Sequence, residues 1–164
     1  MPGPGRGGAI GSLGRRRPPG WDPWAALRAR PHITFRLHPV AATMGGGLLA
    51  RRGERAAIVL DPALGRRRRR CALAHELVHD ERGGGFDRVG APATWDAVAQ
   101  REEQRVDREV AHRLVPSADL ERFVAARAEL GDPAALWEVA EEFDVDEATA
   151  ARAMVARGWG QPGA

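Results

Sequence analysis

A single five-residue pattern, HELVH at residues 75–79, restricts the fold of this 164-residue chain more than any other feature. It lies in the segment 66–82, whose apolar residues recur at helical spacing until three glycines at 83–85 end the pattern. Residues i and i+4 share one face of a helix, so the imidazoles of His75 and His79 can reach one metal ion, with Glu76 beside it. The pattern therefore predicts a helix that presents two metal ligands and a candidate general base.

The donor atoms favour Zn²⁺, which accepts imidazole and carboxylate ligands in a tetrahedral site. Such a site is catalytic when three positions are taken by the protein and the fourth stays open for water. We therefore expect one Zn²⁺ ion, with Mn²⁺ left open as an alternative metal, and a third protein ligand elsewhere in the chain.

A second long helix, predicted from about Trp95 to Val115 and stopped by Pro116, offers the third ligand. A buried stripe at helical spacing includes Glu103, Val106, Asp107, Val110 and Leu114. The same geometry places three other residues on the solvent side of this helix: Glu102, Glu109 and Arg113. We expect Glu103 to complete the metal site, and Asp107, one turn later, to accept a hydrogen bond from a zinc-bound imidazole.

The residues before the HELVH helix are typical of a small sheet. The segment HITFRLHPV (32–40) alternates between apolar and polar residues, and 47–50 and 55–60 flank a turn, which predicts a hairpin. Asp22-Pro23 predicts a short helix before the first strand. The predicted fold class is α+β: a small antiparallel sheet of about three strands, two long helices, and a helical C-terminal part.

The C-terminal part is predicted to contain three helices, with Ser117 as a candidate cap, Asp132-Pro133 opening the second and Asp146 capping the third. Residues 133–157 have helix-turn-helix spacing. However, residues 132–157 contain seven acidic residues and only two arginines. We therefore expect these helices to dock the substrate or cover the core, and we do not expect direct binding to nucleic acid.

The charge is distributed unevenly along the chain. All 25 Lys+Arg residues are arginines, so the sequence pI of about 10.6 overstates a net charge of +3. Residues 1–70 carry +12 and residues 71–164 carry −9. The run Arg66–Arg70 could engage nucleic acid or an acidic partner, but we favour a solvated helix face in an arginine-rich chain.

Targeting signals are not recognised in this sequence. The segment 1–20 is rich in Gly, Pro and Arg and lacks an apolar core, so we expect a flexible tail and no signal peptide. No apolar run approaches the length of a membrane span. The single cysteine, Cys71, falls on the apolar side of its helix and is expected in the core, which fits a reducing cytoplasm.

The motifs HELVH and EQRVDREVAHRLVP (103–116) together resemble the ImmA/IrrE family of metallo-endopeptidases, and the Glu-x-x-x-Asp pair is similar to that of gluzincins. The resemblance implies that His75, His79 and Glu103 bind zinc, that Glu76 is the general base, and that Asp107 supports the ligands. It also implies a zincin-like domain over 21–116, followed by a helical subdomain over 117–164. The expected substrate is a helix-turn-helix transcriptional repressor, cleaved in the cytoplasm.

Two parts of the site are less determined by the sequence. The chain contains no Tyr, and His112 falls half a turn away from Glu103 on its helix, so the metal and backbone donors are expected to stabilise the oxyanion. His32 and His38 share one strand face and are expected at the surface. A substrate strand is predicted to add to an exposed edge along the segment that contains Arg55, Ile58 and Leu60.

Two alternatives remain open at this stage. One is a DNA-associated regulatory or toxin–antitoxin module in which the metal is structural and the arginine-rich half binds nucleic acid. The other is a metal-bearing protein that binds its repressor without cleaving it. The sequence makes no prediction of oligomeric state.

Overall fold

The computed structural model describes residues 20–83 and 95–159. The predicted tail, apart from Gly20, and the Gly/Pro-rich loop before the second long helix lie outside the described residues. The elements, in chain order, are α1 (Pro23–Arg28), β1 (Ile33–Leu37), a 3-10 helix (Pro39–Met44), β2 (Gly47–Arg52), β3 (Arg55–Leu60), α2 (Arg66–Glu81), α3 (Trp95–Leu114), α4 (Ser117–Glu129), α5 (Leu136–Glu142) and α6 (Glu147–Val155).

α1 and α6 begin at a side chain that accepts hydrogen bonds from their first backbone N–H groups. α2 and α4 have no side-chain cap, so the predicted cap at Ser117 is wrong: Ser117 is already the first residue of α4, and Pro116 precedes it. The Asp22 carboxylate accepts hydrogen bonds from the N–H groups of Trp24 and Ala25, and Asp146 accepts one from Thr149, as the sequence predicted. The predicted start of α5 at Asp132-Pro133 is wrong. That helix begins at Leu136, where Glu138 accepts a hydrogen bond from the N–H of Ala135.

The three strands form a sheet in the order β1-β3-β2. The hairpin of β2 and β3 is antiparallel, as predicted, but β1 pairs with β3 in parallel, so the expectation of a wholly antiparallel sheet is wrong. Residues 38–46, which include the 3-10 helix, carry the chain across the end of β3, with His38 N–H bonded to Leu60 O and Asp61 N–H to Gly46 O. β3 therefore returns between the other two strands.

Two buried clusters meet at α2. One lies between the sheet and α2 and consists of Leu49, Ala56, Ile58, Leu60, Leu73 and Leu77. The other joins α2 and α3 to the C-terminal helices and includes Val78, Val106, Leu114, Leu120 and Phe143. Because α2 is packed on both sides, its orientation is held firmly. The α+β class with a three-stranded sheet is confirmed, while the predicted domain boundary at residue 116 stays a prediction.

Two of the arginines that open α2, Arg66 and Arg70, contact other parts of the fold. Arg70 is only 5% exposed and donates hydrogen bonds to the carbonyl oxygens of Trp21, Phe143 and Asp144 at 3.0–3.1 Å. Arg66 pairs with the Asp144 carboxylate at 2.5 Å. The expected solvated face is thus wrong for Arg70, because carbonyls of the α5–α6 loop compensate its charge at the helix start; it holds for Arg68, which is exposed.

Among the helices of the described residues, none combines the length and the apolar character required to cross a lipid bilayer.

Candidate metal centre

The two histidines of HELVH point from one face of α2 toward a common position. They lie one helical turn apart, and the Nε2 atoms of His75 and His79 are 3.0 Å from each other. Their side chains are 25% and 15% exposed, so the ring nitrogens are partly screened from solvent but remain accessible. Two Nε2 atoms at this distance can share one proton or one metal ion.

α3 crosses α2 so that Glu103 lies opposite the histidines. Its Oε2 atom is 3.1 Å from His75 Nε2 and 3.4 Å from His79 Nε2. The apolar members of the predicted stripe anchor this crossing, since Val106 and Leu114 are fully buried. The neighbouring Glu102 is on the outer side of α3, where it pairs with Arg82.

These three distances match the edges of a tetrahedral zinc site. With metal–ligand bonds of 2.0–2.1 Å, two ligand atoms of such a site are about 3.3 to 3.4 Å apart. The observed separations of 3.0, 3.1 and 3.4 Å fall close to that value. Within the described part of the chain, His75, His79 and Glu103 form a group whose ligand atoms all lie within 4.8 Å of one another. Two imidazoles and one carboxylate are also the donors of a catalytic zinc site with one open position.

The electrostatics of the site favour a bound cation. Burial alone would lower the pKa of His75, but hydrogen bonds with Asp107 and Glu103 outweigh burial and raise that pKa to about 9. Hydrogen bonds with His75 and His79 hold the pKa of Glu103 well below its usual range. The carboxylates of Asp107 and Glu103 therefore favour positive charge at this position.

Asp107 lies behind the first histidine, on the side away from the metal position. Its Oδ1 atom is 3.3 Å from His75 Nδ1, which is the contact the sequence predicted for it. Its other oxygen, Oδ2, is 2.8 Å from a guanidinium nitrogen of Arg152 on α6. Sequence reasoning missed Arg152, because nothing in the local pattern of α6 links it to a residue on α3.

Glu76 is buried on the sheet side of the metal position. Glu76 is only 8% exposed. Burial raises the pKa of its carboxyl group, while the charges of the nearby His75 and His79 act to lower that pKa. The backbone of Leu49 on β2 also hydrogen-bonds to it. A carboxylate with a raised pKa beside a metal site is suited to accept a proton near neutral pH.

Gly47, at the start of β2, leaves the space that Glu76 occupies. A Cβ atom at residue 47 would lie 2.6 Å from Glu76 Oε1, far inside contact distance. The sequence shows a glycine at the first position of a predicted strand. Only the packing of β2 on α2 explains why a residue without a side chain is needed there.

A groove of about 320 Å³ runs along α2 from the metal position toward the start of the helix. Its floor contains Ala72, His75 and Glu76, and one rim contains Met44, which is 45% exposed. The opposite wall is formed by α3 and α6, and Arg68 lies at the end of the groove. The groove is open to solvent and large enough for a segment of extended chain.

The predicted substrate-binding edge is not where the sequence placed it. Arg55, Ile58 and Leu60 lie on β3, which is the central strand and is paired on both sides, so it offers no free edge. Ile58 and Leu60 are fully buried in the core. The edge strand next to Glu76 is β2, because the crossover after β1 places β3 in the middle.

The other candidate side chains lie away from the three ligands. His32 Nε2 is 3.0 Å from the Asp80 carboxylate, and the His38 ring accepts a hydrogen bond from Val40 N–H at the start of the 3-10 helix. His112 is exposed on α3, as its helical position predicted. Cys71 is 6% exposed and packed in the core, also as predicted.

Residues 28–154 match the protein-family model described as Peptidase_M78, IrrE N-terminal-like domain. Comparison with curated proteins and with solved structures gives no match. The matched range includes β1 to α6 almost completely, and with it both HELVH histidines, Glu103 and Asp107. The chain therefore belongs to the Peptidase_M78 family of IrrE N-terminal-like domains, a family of metallopeptidase type.

Proposed function

We propose that this protein is a zinc-dependent endopeptidase that cleaves one specific protein, a helix-turn-helix transcriptional repressor. The observation that carries the proposal is the convergence of His75, His79 and Glu103 at tetrahedral spacing, with the buried carboxylate of Glu76 beside them. One Zn²⁺ ion is the proposed cofactor, and Mn²⁺ is the alternative metal. The cytoplasmic location stays a prediction.

The proposed division of labour follows from the positions of the side chains. When bound, zinc supplies Lewis acidity, which lowers the pKa of water and polarises a carbonyl group. Glu76 accepts the proton of the attacking water and then delivers it to the amine nitrogen as the peptide C–N bond breaks. Asp107 holds His75 in the tautomer whose Nε2 lone pair faces the metal. Because the chain has no Tyr, oxyanion stabilisation by backbone donors is expected, and we predict a slow enzyme.

We propose that the substrate adds as a strand to the free edge of β2. β2 begins at Gly47, directly beside the Glu76 carboxylate, so a paired peptide would pass the metal position. The exposed Met44 at the groove rim would contact an apolar side chain, and Arg68 would face an acidic one.

A protein substrate fits the C-terminal helices better than DNA does. The only two arginines of residues 132–157 are both engaged in ion pairs, Arg152 with Asp107 and Arg157 with Glu121. Carboxylates thus offset the positive charge that these two arginines would offer to phosphate groups. This supports a protein partner, and the choice of a repressor rests on the family resemblance.

The decisive experiment is co-expression of the full chain with a helix-turn-helix protein encoded next to its gene, followed by mass spectrometry of the products. We expect the wild type to cut that protein. The Glu76→Gln variant should keep its zinc and fail to cut, and Glu103→Gln should lose zinc. Glu102→Gln is the matched control, because Glu102 is adjacent in sequence but faces away from the site.

Two results would contradict the proposal. Cleavage by Glu76→Gln would overturn the assigned general base. An intact neighbour under all conditions, together with salt-dependent DNA binding that survives removal of zinc, would favour the DNA-associated regulatory or toxin–antitoxin alternative.

A further inference from the structure

α6 brings a guanidinium group to the side of the metal centre that lies away from the metal itself. Arg152 is 2.8 Å from Asp107 Oδ2, and Asp107 Oδ1 is 3.3 Å from His75 Nδ1. The two oxygens of one carboxylate thus have separate partners, one on α2 and one on α6. The chain Arg152–Asp107–His75 links the C-terminal helices to a metal ligand.

His75 can bind a metal through Nε2 only if its proton is on Nδ1, and an acceptor at Nδ1 stabilises that tautomer. Asp107 is that acceptor, but its side chain is 30% exposed, so surrounding protein alone does not hold it. A carboxylate with one partner can rotate about its terminal torsion. A second partner on Oδ2 restricts the rotation and keeps Oδ1 directed at His75.

The position of Arg152 is itself determined by packing. α6 is capped by the Asp146 carboxylate, and its residues Ala150 and Ala153 are buried against the core shared with α2 and α3. The N–H of Asp146 also approaches Cys71 Sγ on α2, at 3.4 Å. The start of α6 therefore contacts the same helix that bears the metal-binding histidines, and this contact fixes the position of Arg152 relative to Asp107.

The balance of charge around the metal centre also supports a role for Arg152. Three carboxylates, those of Glu76, Glu103 and Asp107, lie around two imidazoles, and like charges in a half-buried site repel one another. Arg152 pairs with one of these carboxylates, that of Asp107. It offsets one negative charge without contacting a metal-binding atom.

We propose that Arg152 is a positioning residue of the metal centre, which orients His75 by holding the Asp107 carboxylate. The inference rests on the metal site of the proposed function, but not on peptidase activity. It assigns the C-terminal helices a part in metal binding in addition to any contact with substrate.

The test compares full-length Arg152→Ala and Arg152→Lys with the wild type. Arg157→Ala is the matched control, because it removes an ion pair, with Glu121, from the same C-terminal segment but away from the site. Zinc affinity is measured by competition with a fluorescent chelator, and the hydrogen bond at His75 Nδ1 is read from the ¹⁵N shifts of its ring in the zinc-loaded protein. Circular dichroism and thermal unfolding report whether α6 stays docked.

We expect Arg152→Ala to raise the Kd for zinc by about tenfold, at the low end of the range for partners of metal ligands, and to weaken the hydrogen bond at His75 Nδ1 in the zinc-loaded protein. Arg152→Lys should recover much of the affinity, and Arg157→Ala should bind as the wild type does. In an Asp107→Asn background, the Arg152→Ala effect should largely disappear, since the carboxylate through which it acts is absent.

The inference is overturned if Arg152→Ala binds zinc within twofold of the wild type. It is also overturned if the loss is the same size with Asp107→Asn, because the effect would then come from α6 packing. If the expected losses of zinc appear and no variant or wild type cuts the co-expressed protein, the positioning role stands and the peptidase proposal fails.

Discussion

Replacing Gly47 with alanine tests whether the Glu76 carboxylate must occupy its observed place. A Cβ atom at this position would lie 2.6 Å from Glu76 Oε1, about 0.8 Å short of the 3.4 Å at which ordinary contact begins. The backbone of Gly47 has an ordinary φ, so an alanine there introduces no conformational strain. The carboxylate of Glu76, at the free end of its side chain, is the group that must move.

The expected magnitude follows from that displacement. A catalytic group misplaced by about 1 Å can cost on the order of 100-fold in rate, so we expect kcat to fall by about 30- to 100-fold. The three atoms nearest to the added methyl belong to Glu76 and Leu60 and not to a metal ligand, so the Kd for zinc should stay within twofold. The other close atoms, Glu76 Cγ and Leu60 Cδ2 at 3.2 Å, need to shift by only a few tenths of an ångström. Stability should therefore fall by less than about 1 kcal/mol.

The assay is the single-turnover cleavage rate of the helix-turn-helix protein identified by co-expression, with zinc content measured on the same samples. Gly65→Ala is the matched control, since a Cβ atom there meets nothing within 4 Å and the backbone is likewise ordinary. If Gly47→Ala cuts at more than half the wild-type rate with zinc in place, the role assigned to Glu76 is wrong. Loss of zinc in the same variant would also refute the reasoning.

Four further predictions concern stability, thiol reactivity, pH dependence and metal binding. Arg70→Met should lower the free energy of unfolding by about 3 kcal/mol and Tm by about 10 °C, because three hydrogen bonds of a buried guanidinium group are lost. The control Arg68→Met, at an exposed position, should leave both values unchanged in a thermal melt. Burial raises the pKa of Cys71 from 9.0 to about 11, so Ellman's reagent should not label the native protein at pH 8 and should label one thiol after denaturation. Since the folded pKa is the higher one, the contribution of this thiol to stability is complete below pH 9 and is lost as the pH rises through 11, which pH-dependent unfolding would show. Zinc at about 100 times its Kd should add about 2.7 kcal/mol and raise Tm by about 5–10 °C; a Glu103→Gln variant that gains as much would contradict the ligand assignment.

Local sequence patterns were sufficient to predict the helices and their caps, because the contacts that determine these features join residues close in sequence. The helical period predicted α2 over 66–82 and α3 over 95–115, and the structure has them at Arg66–Glu81 and Trp95–Leu114. The same period separated Glu103 from Glu102, because the apolar residues that share its face must pack on α2. The capping residues Asp22 and Asp146 were readable for the same reason, since a cap bonds to N–H groups two or three residues away.

The pairing of strands that are distant in the chain could not be predicted from the sequence. Alternation in residues 33–37 predicts a strand but does not say whether its neighbour runs parallel, because side-chain alternation is the same in both cases. Only the crossover through 38–46 placed β3 in the centre, with β1 and β2 as the two edges of the sheet that the described residues form. This is why the predicted substrate edge fell on Ile58 and Leu60, which are core residues.

The sequence by itself determined which side chains can bind a metal, since helical geometry dictates that His75 and His79 share a face and that Glu103 lies on the same face of α3 as the buried Val106 and Val110. Tertiary structure alone decided what surrounds them: Gly47 beside the Glu76 carboxylate, Arg152 on Asp107, and Arg70 on the carbonyls of the α5–α6 loop. Each of these contacts joins elements that are far apart in the chain. Their partners are selected by how whole helices and strands pack, and no short-range period records that packing.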